Sequence, residues 1–305
     1  MNGMKPPRLG RGLRDLRIWP VPAPAPGARP DPPAAAAWPA TAARRPAVVC
    51  ITSGKGGTGK SVIASNLSVH FAGGGSRVVV VDADLGLANQ HLLLGVKPAL
   101  SIVDVIERGV PMEDILEDGP AGVALAAGVS GRPEVADLHA GRLRRLVASI
   151  EGLAGRADIV VVDTGAGIGR ATTTFLYALD DVVLVTTPDL TAMTDGYMVI
   201  KNVARNNPRA RLSVVVNRVQ SAVEGLEVFG RIEQVCRRHL GRAPRFLGHV
   251  LEDRRVAGSV ASRIPILLNQ PSAPAAACLR GVGRALQLAI PKHPGEAAAL
   301  DQEPE

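Results

Sequence analysis

The apolar run Ala47–Thr52 leads without a break into Ser53-Gly54-Lys55-Gly56-Gly57-Thr58-Gly59-Lys60-Ser61. No other stretch restricts the chain as much. From Gly54 to Ser61 it satisfies G-x-x-x-x-G-K-[ST], and it lies where that motif must lie, between a predicted strand and a predicted helix over about 60–73. Glycines allow backbone N–H groups to curl around phosphate oxygens without Cβ clashes. The helix that follows turns its N-terminus toward the anion. Lys60 is placed to neutralise the β- and γ-phosphates and the Ser61 hydroxyl to ligate Mg²⁺. The chain is therefore expected to bind a nucleoside triphosphate, with Gly54, Lys55, Gly56, Gly57, Thr58, Gly59, Lys60 and Ser61 forming the cradle.

The surrounding pattern agrees with such a loop. Apolar runs at Ala47–Thr52, Arg77–Asp82, Val123–Ala127, Asp158–Asp163, Asp181–Thr186, Leu212–Asn217 and Phe246–Leu251 alternate with helical stretches. The helices are predicted at about 60–73, 101–108, 138–153, 170–179, 192–206, 224–240 and 273–290. Alternation of this kind builds βαβ units, so the expected fold is α/β: a P-loop NTPase with a mostly parallel central sheet and helices on both faces. Hydrophobic residues make up 46% of the chain and aromatics only 3%. The core must then be Val, Leu, Ile and Ala, as in parallel strands buried on both faces.

Charge and proline divide the chain into three. Residues 1–46 hold 11 of the 24 prolines and a charge of +6; residues 291–305 carry −3; the +4 that remains belongs to 47–290. The first segment reads as a disordered, basic, Pro/Ala-rich tail, the second as the ATPase domain and the last as a disordered acidic tail. Within the first, Leu9, Leu13 and Leu16 fall four and three apart, flanked by Arg8, Arg11, Arg14 and Arg17, which makes a short amphipathic segment. The high pI thus reports mainly on the tail and gives a DNA-binding face little support. Cys50, Cys236 and Cys278 are scattered, which excludes a disulfide framework or a cysteine-held metal within one chain. No apolar run reaches the roughly 18–20 residues of a membrane span, and the basic N-terminus leads into no apolar signal segment. A cytoplasmic protein is expected.

Three further segments carry candidate chemistry. Val78–Val81 ends in Asp82-Ala83-Asp84-Leu85-Gly86-Leu87-Ala88-Asn89, which puts two carboxylates at a strand's C-terminal end, where such sheets bind ligands. Ile159–Val162 ends in Asp163-Thr164-Gly165-Ala166-Gly167-Ile168. Leu212–Val216 ends in Asn217-Arg218. With Lys55 opening the loop as Lys-Gly-Gly-x-Gly-Lys-Ser, the chain resembles the deviant Walker A ATPases: MinD, ParA, the arsenical-pump ATPase and the nitrogenase iron protein. The resemblance implies an ATP-bound homodimer in which Lys55 reaches the other subunit's phosphates, as an arginine finger does. It makes Lys55, Lys60 and Asp84 catalytic, Asp84 positioning the attacking water. It gives Asp163 to Mg²⁺ through water, sets Asp82 behind the metal's ligands, makes Gly165 and Gly167 the pivots of a switch, and brings Asn217 to adenine. ATP and Mg²⁺ are the implied cofactors.

Asp82–Asn89 followed by Leu92-Leu93-Leu94-Gly95, Asp163–Ile168, and Thr186-Thr187-Pro188-Asp189 followed by Thr194-Asp195-Gly196-Tyr197 look like the flagellar branch of MinD-like ATPases, known as FlhG, FleN or YlxH. That resemblance covers roughly residues 47–270. It implies control of flagellar number or placement through a signal-recognition-type GTPase, or through basal-body or regulatory proteins. The branch's N-terminal activating segment is matched here only by Leu13-Arg14-Asp15-Leu16. Pro291-Lys292-His293-Pro294 and the acidic tail cannot form the family's basic membrane helix. Any peripheral contact with the inner face of the cell membrane is therefore expected from the basic N-terminal segment. The alternative is a ParA-type chromosome or plasmid partition ATPase, which needs a basic face for DNA. Cluster carriers need paired thiolates, and tyrosine kinases of this loop class need a tyrosine-rich tail, whereas Tyr177 and Tyr197 are the chain's two tyrosines.

Overall fold

The computed structural model describes residues 45–130 and 140–290. The readings of residues 1–44 and 291–305 as tails, with the amphipathic segment, lie outside the described residues, as does the start of the helix predicted from 138.

Short runs of Val, Ile and Ala form the strands β1 (Ala47–Thr52), β2 (Val78–Ala83), β3 (Leu116–Asp118), β4 (Val123–Ala126), β5 (Ile159–Thr164), β6 (Asp181–Thr186), β7 (Arg211–Val219) and β8 (Arg245–Leu251). They make one sheet of order β3-β4-β2-β5-β1-β6-β7-β8. All neighbours pair in parallel except β3, which runs antiparallel to β4 at the edge. Every residue of β2, β5 and β6 is buried, as expected of strands covered on both faces.

Residues alternate between two cores because strand side chains alternate between faces. Cys50, Val79, Val81, Val160, Val162 and Val214 point to one side. There they meet α3 (Ile102–Arg108), α4 (Ala140–Glu151), α5 (Arg170–Ala178), α6 (Leu190–Asn206) and α7 (Ala222–Leu240). Val49, Ile51, Val161, Val183, Val185 and Val215 point to the other, against α1 (Lys60–Gly73) and α10 (Pro274–Ala289). The predicted three-layer α/β fold is thus present. At the sheet's far end, Arg77 forks onto Asp158 ahead of β2 and β5, and Arg211 forks onto Asp181 between β6 and β7.

The structure adds elements that the apolar pattern does not announce. Strand β3 is three residues long and half-exposed, too short for an alternating signal. The helices α2 (Gln90–Leu93) and α9 (Ile266–Asn269) are single turns, and α8 (Arg254–Ser262) buries only Ser259. Asp253 caps α8 by accepting the Arg255 N–H. Among the described residues, no helix is long and apolar enough to cross a membrane.

Chain order places the site. β1 lies between β5 and β6; the chain first leaves it for β2 on one side and later fills β6, β7 and β8 on the other. Such a reversal opens a crevice at the strands' C-terminal ends, and the Gly54–Ser61 loop follows β1 there. Phe175 of α5 is fully buried in the larger core. Replacing Phe175 by Ala should cost about 3–5 kcal/mol. Helical circular dichroism during urea unfolding should show this as a lower midpoint with an unchanged slope. Fluorescence would be a poor substitute, since Trp19 and Trp38 both precede the described domain.

Candidate nucleotide site

The loop is shaped by close packing. Gly57 and Gly59 have φ of +81° and +88°, the left-handed region that glycine enters without penalty. A Cβ on Gly59 would overlap the Asn217 side-chain amide, and one on Gly54 would overlap the backbone of Asp195 and Gly196 in α6. Helix α1 begins directly at Lys60, with no side-chain cap on its first N–H groups and no acidic residue in its first turn. Its orphan donors and positive dipole end are therefore open to an anion. Thr58 Oγ1 is buried beside them and lacks a hydrogen-bond partner among the described residues.

Two carboxylates, Asp84 and Asp163, converge on Lys60, and a third, Asp82, adjoins Asp163. Parallel pairing sets Asp82 of β2 directly opposite Asp163 of β5, and both are fully buried. Lys60 Nζ lies 3.3 Å from Asp84 Oδ2, 3.7 Å from Asp163 Oδ1 and 3.4 Å from Ser61 Oγ. Asp84 Oδ1 accepts the N–H groups of Gly86 and Leu87, so the turn after β2 holds that carboxylate in place. Asp82 Oδ2 accepts the N–H groups of Asn89 and Gln90, each at 2.8 Å. Burial, with the Asp163 charge second, pushes the Asp82 carboxyl up to about 7. Burial also raises Asp163, and the Lys60 ammonium is the leading influence opposing it.

These residues fit a Mg²⁺–nucleotide. Asp163 Oδ1 is a buried carboxylate oxygen without a hydrogen-bond donor among the described residues, and it faces the same ammonium as the Ser61 hydroxyl. An oxygen in that state is stabilised by a cation or by a cation's water.

Two predicted residues are engaged elsewhere in the single chain. Lys55 Nζ is bound to Asp189 Oδ2 at 3.0 Å and to Thr191 Oγ1 at 2.7 Å, at the start of α6. Both charged side chains are about half exposed. Asn217 donates its amide to the Thr58 carbonyl at 2.7 Å, which ties the end of β7 to the phosphate loop. Gly167, with φ of +80°, donates its N–H to the Ser53 carbonyl at 2.7 Å, so the segment after β5 is pinned to the loop as well. Sequence reasoning missed Gln90, which is buried and bonded to Asp163, and the partners Asp189 and Thr191. Asp189 stands in a motif read for kinship, and nothing in its spacing points to Lys55.

Comparison with known proteins gives the chain's family. The family model for the CobQ/CobB/MinD/ParA nucleotide binding domain matches residues 49–266. The antiactivator FleN of Pseudomonas aeruginosa is 33% identical over 237 residues, spanning 78% of this chain and 85% of that protein. The flagellum site-determining protein YlxH of Helicobacter pylori is 37% identical over 192 residues, 63% of this chain and 65% of that one. The cell-division ATPase MinD of Pyrococcus furiosus superposes with a TM-score of 0.69 at 25% identity, covering 80% of this chain and 99% of its own. MinD of Pyrococcus horikoshii, solved with Mg-ADP, does so with the same score and identity over 81% and 98%. A chain with this loop, these strand-end carboxylates and these relatives belongs to the MinD/ParA family, and it is an ATPase that works with Mg²⁺.

Proposed function

We propose that this chain is an ATP-driven dimerisation switch that sets flagellar number or placement by acting on a signal-recognition-type GTPase, a basal-body component or a flagellar regulator. The observation that carries the reading is the kinship to FleN and YlxH, together with the switch segments Asp82–Asn89 and Asp163–Ile168 grouped around one phosphate loop.

Each residue's part follows from its chemistry. Backbone N–H groups of Gly54–Gly59 and the open start of α1 bind the phosphates. Lys60 neutralises the β- and γ-phosphate oxygens. Ser61 Oγ and Asp163 would hold Mg²⁺, whose charge would balance the phosphates when it is bound; Asp82 stands behind them. Asp84 orients the attacking water. Asn217 orders the loop through Thr58 and presents its amide to the base. Lys55 serves the second subunit: it must leave Asp189 and Thr191 to reach the partner's γ-phosphate. An exposed ion pair of that kind is weak, so a desolvated triphosphate can displace it. Gly167 supplies the pivot by which the segment after Asp163 moves as the γ-phosphate arrives and leaves.

Lys55 and Lys60 should separate binding from chemistry. Lys60→Ala is expected to lose ATP binding in a fluorescent-nucleotide titration. Lys55→Ala is expected to keep monomer binding, to lose ATP-driven dimerisation and to slow hydrolysis by on the order of 10³-fold, as for a missing finger residue. Equal loss of binding in both variants would reject the trans role of Lys55. Asp84→Ala should bind ATP, hydrolyse it on the order of 10²-fold more slowly and accumulate as dimer in gel filtration. A normal hydrolysis rate in that variant would remove Asp84 from the mechanism.

The biological reading is tested by deleting the gene in its source organism and counting flagella by electron microscopy. More flagella per cell, or lost placement, is the expected result. An unchanged count with loss of chromosomes or plasmids would favour a partition ATPase instead.

A further inference from the structure

We propose that Gln90 is a positioning residue for Asp163: it holds one carboxylate oxygen so that the other faces Lys60 and the Mg²⁺ position. This rests on the reading of Asp163 as the residue that holds Mg²⁺ through water.

Gln90 opens the single turn α2 and is fully buried. Its backbone N–H donates to Asp82 Oδ2 at 2.8 Å. Its side-chain Nε2 donates to Asp163 Oδ2 at 2.9 Å and to the Ser61 carbonyl at 3.0 Å. One residue therefore joins both strand-end carboxylates to the first turn of α1. The orientation of the amide follows from its partners: a carboxylate and a carbonyl accept only, so the NH₂ group must face them.

The arrangement carries a cost that mere space-filling would avoid. Gln90 Oε1 is buried and has no donor among the described residues, and an unsatisfied buried acceptor is unfavourable. A hydrocarbon side chain of similar length would fill the same volume without it. What the amide contributes is the pair of donated bonds. With Oδ2 held, Asp163 cannot rotate about its Cβ–Cγ bond without breaking one of them. Its other oxygen, Oδ1, is left without a hydrogen bond at 3.7 Å from Lys60 Nζ, on the side where Ser61 presents its hydroxyl.

The test measures how the affinity for a fluorescent ATP analogue depends on free Mg²⁺ in the full chain, for wild type, Gln90→Leu, Gln90→Met and Asp163→Asn. Loss of an outer partner of a metal-site residue commonly weakens metal binding 10–100-fold. Gln90→Leu and Gln90→Met are expected to raise the half-saturating Mg²⁺ concentration by roughly that factor, with nucleotide affinity in EDTA unchanged. A packing defect would weaken nucleotide binding with and without Mg²⁺ alike, and that result overturns the proposal. Two variants of different shape guard against one that fails to fold. A shift in Asp163→Asn with none in either Gln90 variant overturns the role of Gln90 while leaving Asp163 in place. No shift in Asp163→Asn overturns the reading of Asp163, and the proposal with it.

Discussion

Two carboxylates sealed from water at the ends of adjacent strands are the constraint around which this molecule is arranged. The β2–β5 register puts Asp82 against Asp163, and neither reaches solvent. Withdrawing one such charge from water costs several kcal/mol. The gross attraction between Asp163 and the Lys60 ammonium at 3.7 Å is about 4–5 kcal/mol at an effective dielectric of 20. The two terms are of one size, so that ion pair by itself adds little net stability. The rest of the site supplies what the pair lacks: N–H groups of residues 89 and 90 on Asp82, the Gln90 amide on Asp163, and Lys60 facing both Asp84 and Asp163.

The same loop gathers the parts that a switch has to move. The segment after β2 is tied to it through Asp84 and Lys60. The segment after β5 is tied through the Gly167 N–H and the Ser53 carbonyl, and Lys55 is held outward by α6. The Lys55–Asp189 pair is half exposed and weak alone. In the proposed switch, a γ-phosphate at the start of α1 would compete for Lys60, for the N–H groups and, in the dimer, for the partner's lysine. Binding energy can thus select one arrangement of all three segments at once. Leu87, Ile168 and Leu190 are exposed apolar side chains, one on each of these segments.

What was legible in the sequence was whatever is contiguous along it. The phosphate loop, the Asp82/Asp84 turn and the Asp163 strand each occupy one stretch, and the strand–helix alternation supplied the frame that brings them together. Strand ends fell within a residue or two because β-branched runs stop where turn residues begin. The unread parts are non-local. Gln90 meets Ser61 and Asp163 across 29 and 73 residues, and Lys55 meets Asp189 across 134. A glutamine within a one-turn helix has no periodicity that would mark it as buried. Strand β3 is an edge strand whose pairing depends on β4 alone, and α8 lies on the surface with too small a buried face to stand out.

In the proposed switch the nucleotide's γ-phosphate sets the assembly state. Light scattering coupled to gel filtration measures this directly on the wild-type chain with Mg²⁺ and either a non-hydrolysable ATP analogue or ADP. Twice the chain mass of 31.7 kDa is expected with the analogue and the single mass with ADP. One and the same mass in both nucleotides, with binding of each verified, would contradict it.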